Sequence, residues 1–126
     1  MSQTEKQTEP MLFKGSIPTS TTKYIELPIR EVGGNRYLGA HVGWLDATSS
    51  ATITVELTSY RHVAVPVAGS AWEWVDSGLT FTGPAASAAG GLLINIENIR
   101  QERARLKIVT AAVSTFDIRD GTREPV

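Results

Sequence analysis

The feature that most constrains this chain is a period of two in its apolar residues. Between residues 52 and 58, Ile53, Val55 and Leu57 alternate with Thr52, Thr54, Glu56 and Thr58. Successive side chains on a strand point to opposite faces, so this spacing predicts a half-buried strand with its Thr and Glu residues on a solvated face. Threonine suits that face because its β-branch favours extended backbone.

The same period recurs along most of the chain. Ile25, Leu27 and Ile29 alternate with Tyr24, Glu26 and Pro28, and the proline, which cannot donate to a ladder, predicts an edge position. Gly33, Gly34 and Asn35 tolerate the positive φ of a tight hairpin turn. Over about 36 to 46, Leu38, Ala40, Val42 and Trp44 form an inward face opposite Tyr37, Gly39, His41 and Gly43. Further strands are expected near 62–67, 71–75, 79–82, 92–98, 104–113 and 115–119. The small-residue stretch at 83–91 is expected as a long loop, and the charged stretch at 97–107 as a hairpin connection.

Short strands at such regular spacing predict an all-β chain, a single antiparallel β-sandwich of about eight strands. A jelly roll is the first topology and an immunoglobulin-like sandwich the alternative. The 126 residues suffice for one domain. A polar N-terminal arm is expected over residues 1–13 and the sandwich over 14–126. MSQTEKQTEP cannot offset its ordering entropy by apolar burial. Met11, Leu12 and Phe13 are read in two ways: as an anchor on another surface, or as the start of the first strand.

Composition narrows the function. With no cysteine there is no disulfide framework and no thiolate metal site. A net charge of -1 gives no global attraction to nucleic acid or anionic lipid. The absence of any apolar run of roughly 18 residues predicts no membrane span, and the first ten residues lack the apolar run of a signal peptide.

Residues that could carry chemistry do not assemble into a known pattern. His41 and His62 lack ligand-spaced neighbours, and no Ser or Thr stands in a nucleophile elbow. Glu73 with Asp76, or Glu97 with Glu102, are carboxylate pairs that charged sheet edges explain as well. DIRDGT at 117–122 reads as a turn, and Gly90-Gly91 precedes a strand where a phosphate cradle needs a helix. No catalytic, cofactor-binding or metal-binding residue is expected, and the chain is read as a non-enzyme.

Binding features are more visible. Arg100, Arg103 and Arg105, followed by Lys107, form the densest basic patch, diluted by Glu97 and Glu102. Trp72 and Trp74 share one face of a strand, either as an exposed platform for sugar rings or as core. With three Trp, three Tyr and three Phe in the chain, core volume favours burial of at least one.

On AWEWVDSGLTF at 71–81, the small-residue segment at 83–91, and the strands LLINIEN and RLKIVTAA followed by STFDIRDGT, the chain from about Lys23 to Gly121 resembles the small β-sandwich capsid decoration (cement) proteins of tailed bacteriophages. The resemblance implies a structural role on the virion surface after assembly in the host cytoplasm. Its partners would be the major capsid protein and copies of itself, clamped through a terminal arm, with no nucleic acid, membrane or cofactor. Met11, Leu12, Phe13, Arg100, Arg103 and Arg105 are then the expected partner interface. The alternative is a carbohydrate-binding module using Trp72 and Trp74.

Overall fold

Alternation along the chain becomes two packed antiparallel sheets. The computed structural model describes residues 11–44, 51–61, 73–82 and 90–121. These contain nine strands: β1 (Met11–Ile17), β2 (Thr22–Leu27), β3 (Arg30–Val32), β4 (Asn35–Trp44), β5 (Ala51–Thr58), β6 (Val75–Thr82), β7 (Gly90–Ile96), β8 (Arg103–Thr110) and β9 (Ser114–Asp120). The first sheet runs β1-β9-β4-β7, with three-residue β3 paired to the start of β4; the second runs β2-β8-β5-β6. Only the β3–β4 and β5–β6 links stay within one sheet.

The inward residues of both sheets make one core. Ile17, Leu38, Ala40, Val42, Ile94, Phe116 and Ile118 come from the first sheet, and Ile25, Leu27, Ile53, Val55, Ala104, Leu106 and Ile108 from the second. Each large aliphatic side chain so buried contributes about 1.5–3 kcal/mol. The all-β sandwich expected from the period of two is therefore what forms, and β4 keeps the expected inward face of Leu38, Ala40, Val42 and Trp44.

Turns follow their residue chemistry. Gly33 and Gly34, with φ of 59° and 83°, close the β3–β4 hairpin between Val32 and Asn35. Strand β2 stops at Leu27, just before Pro28, and lies at an edge as the proline predicted. At the first corner between sheets, the buried Thr110 hydroxyl lies 2.5 Å from the Pro18 carbonyl oxygen, and its Oγ1 accepts the Thr21 N–H at 3.0 Å.

Several expectations need correction. The arm boundary after residue 13 falls inside β1, where Phe13 pairs with Ile118 and Leu12 and Phe13 pack against the core. Gly90 and Gly91 belong to β7, because both lie in register with Trp44 and Gly43. Asp117 to Asp120 extend β9 and do not turn, since β4 pairs them as far as Ala40↔Asp120. The charged connection ends at Glu102, where β8 begins. The strand expected at 62–67, residues 71 and 72 of that expected at 71–75, and the loop residues 83–89 lie outside the described residues; Glu73 and Trp74 precede β6, which starts only at Val75.

Candidate functional site

Strand β8 sends Ala104, Leu106 and Ile108 into the core, so Arg103, Arg105 and Lys107 must project from the opposite face of the second sheet. Register then decides what each arginine meets. Arg105 stands between Glu26 on β2 and Glu56 on β5. Its Nε donates to Glu56 Oε1 at 2.8 Å, and a terminal guanidinium nitrogen lies 2.7 Å from the same oxygen. Its guanidinium also lies 3.9 Å from the Tyr24 ring centroid and 4.3 Å from that of Trp74. Planar, weakly hydrated guanidinium is suited to this combination of fork and stack.

Arg103 repeats the pattern closer to solvent. It donates to both Glu26 carboxylate oxygens, at 2.8 and 3.2 Å, and to the Arg61 carbonyl at 2.9 Å. The Glu26 hydrogen bond raises the Arg103 pKa above its already high value, so the group stays charged. Its guanidinium lies 5.7 Å from the Trp74 ring.

The sequence-predicted interface residues thus separate. Arg105, expected on an exposed hairpin, is 2% exposed and neutralised within the fold. Glu56 and Thr58, expected to be solvated, are buried at one end of β5, whereas Thr52 at the other end of the same face is exposed as expected. Trp74 is buried at 3% exposure, as core volume favoured, yet it packs over arginines on the outer face and stands apart from the main apolar core. Trp72 lies outside the described residues. Arg100 is exposed on the loop before β8, whereas Met11 is 57% exposed on edge strand β1, opposite Arg119.

A cleft of about 470 Å³ links some of these groups. Leu12, Leu27, Pro28 and Ile29 supply its apolar lining, and Glu26, Arg36, Glu102 and Arg103 its charged lining. Arg36, which sequence reading did not single out, holds the β7–β8 loop by donating to the backbone carbonyls of Ile99, Gln101 and Glu102. A second cleft, of about 590 Å³, contains Tyr60, Glu73, Asp76 and Gln101.

No family model matches the chain, and no curated protein or solved structure matches it either. The surfaces themselves must therefore carry the reading.

On the first sheet, the outer face holds Lys14, Asp117, Arg119 and His41. Arg119 donates to Asp117 at 2.6 and 3.2 Å, and Lys14 lies 4.0 Å from it. These cations hold the Asp117 carboxyl below its usual range, the Arg119 hydrogen bond being the largest cause. Asp120, read from the sequence as a turn residue, faces inward and meets Arg30 at 2.5 Å. Among the described residues, no group of three His, Asp or Glu side chains is placed to hold a metal ion. His41 stands exposed opposite Leu93, and His62 lies outside the described residues.

Proposed function

We propose that this chain is a non-enzymatic structural protein of a virion, a capsid decoration protein that binds and stabilises the major capsid protein shell. The observation that carries the reading is the position of β1. It is an edge strand, its first residue Met11 is exposed, and Leu12 lines the 470 Å³ cleft with its apolar wall and charged neighbours. The described chain therefore begins on a strand at the sheet edge, open among the described residues and beside a groove, which suits attachment of a preceding arm to a neighbouring subunit.

The pairing order supports the jelly-roll reading of the sandwich. Strands β1 and β9, β2 and β8, β4 and β7, and β5 and β6 each pair antiparallel. This is the ladder of one long hairpin rolled into two sheets. Many weak arm contacts repeated over a shell add up through effective concentration.

Arg103 and Arg105 contribute to this role by holding the fold, and the surface available to a partner is Met11, Arg100 and the cleft. The carbohydrate-binding alternative requires a stacking surface on Trp74 that Arg103 and Arg105 now occupy. Co-sedimentation of the purified chain with empty shells tests the proposal: saturable binding at a fixed ratio to the capsid subunit supports it, and no binding to shells of the capsid protein encoded beside it overturns it.

A further inference from the structure

We infer that the edge of β7 left open among the described residues pairs with β7 of a second copy of this chain, antiparallel about a two-fold axis at Leu93. An exposed strand edge is a row of unpaired backbone donors and acceptors, and folds guard such edges with charges, prolines, bulges or short length. Four of the five strands with an open side among the described residues carry such guards. β1 has Lys14 and a register shift between Met11 and Phe13; β2 has Lys23 and Glu26 and is followed by Pro28. β6 has Asp76, a Gly78 at φ 92° and a register shift in its pairing to β5, and β3 is three residues long with Arg30 and Glu31.

β7 has none of these. Its sequence GGLLINI contains no charge and no proline, and it pairs with β4 in unbroken register from Gly90 to Ile96. Leu93 points from the outer face and, at 68%, is the most exposed large apolar side chain among the described residues.

Charge selects a second copy as the occupant. In a two-fold antiparallel pair each residue faces its symmetry mate or that of a neighbour, and like charges directly opposite are destabilising. β7 is the edge where self-pairing meets no such penalty. Centring the pair on the middle residue of the strand sets Leu93 against the partner's Leu93 and Gly91 against the partner's Asn95 on the outer face. On the inner face, half-buried Leu92 meets the partner's Ile94. The inference stands on this edge and not on the capsid reading: a dimer that ignores shells keeps it, and a monomer that decorates them overturns it.

The test uses the full chain. Sedimentation equilibrium of the wild type should give a dimer, and Leu93→Lys, which sets two ammonium groups together at an already exposed site, should raise its dissociation constant about 100-fold with the circular dichroism unchanged. Because the chain has no cysteine, Leu93→Cys provides a second readout. Directly opposed side chains lie within disulfide reach, so mild oxidation should cross-link Leu93→Cys and leave Val75→Cys, on the β6 edge, uncross-linked. A wild type that stays monomeric at every concentration, a Leu93→Lys variant that dimerises as the wild type does, or equal cross-linking of the two cysteine variants overturns the inference.

Discussion

Replacing Arg105 by Met removes one partner of a buried ion pair and leaves the other in place. Arg105 has 2% of its side chain exposed and Glu56 has 11%, with the closest contact at 2.7 Å. Stranding Glu56 without its cation should cost about 3–5 kcal/mol, since a buried carboxylate keeps its desolvation cost and loses its attraction. The stacks on Tyr24 and Trp74, each worth about 0.5–2 kcal/mol, disappear in the same step and are not additive with that figure. Against a typical domain stability of about 5–15 kcal/mol, this is a large fraction. Glu56→Leu alone removes the carboxylate that lies 2.7 Å from the buried Arg105 guanidinium and should also destabilise the fold. The double variant should recover most of the loss, because an apolar pair of similar volume replaces two costly charges. Urea unfolding followed by tryptophan fluorescence and circular dichroism at pH 7 gives all four corners of the cycle, provided the m-value is constant. A single-variant cost below about 1 kcal/mol, or a double variant costing the sum of its singles, refutes this account of the outer face.

Three further outcomes follow from the same contacts. Trp74→Ala should destabilise the fold by about 3–5 kcal/mol, the range for a buried aromatic, while leaving any glycan-array signal unchanged; loss of a glycan signal with stability retained favours carbohydrate binding. Arg36→Ala should release the β7–β8 loop, seen as faster amide exchange localised between residues 97 and 102 and a global cost of about 1–3 kcal/mol; uniform exchange along the chain contradicts the clamp. The Asp117 pKa is lower folded than unfolded, so its stabilisation is complete above the unfolded value and is lost as pH falls through the folded one. Asp117→Asn should therefore be the less stable protein at neutral pH, with the gap to wild type closing below about pH 4 in urea titrations; a gap independent of pH contradicts the assignment.

The strands were legible because their signal is local. Period two located β4 and β5 and gave the inward face of β4, and Gly33-Gly34 announced its hairpin. The outer face was not, because it depends on register. Nothing near Glu56 in sequence says that Arg105 lies across from it, or that Trp74 stacks on that guanidinium; a polar residue alternating with Val55 and Leu57 reads as solvated until a partner from another strand is placed beside it. Ala104, Leu106 and Ile108 carried the alternation of β8 and gave its start at 104 against the observed Arg103, but the charge density of 97–107 also reads as a connection running over it. β1 stood as only one of two readings of Met11 to Phe13 for a related reason: Gly15 and the polar Lys14 and Ser16 weaken its pattern, and pairing with β9 decides for the strand.

The central claim, that the segment before β1 is an attachment arm on a capsid-binding sandwich, is tested most directly by removing it at the boundary the fold defines. Residues 1–10 can be deleted with β1 left whole, and the number of copies bound per shell measured by quantitative co-sedimentation against the full chain at equal concentration. The account predicts an unchanged unfolding midpoint and at least about a tenfold loss of affinity for shells, the effect of removing about 1.4 kcal/mol or more of arm contact. Equal occupancy by the full and shortened chains would contradict it.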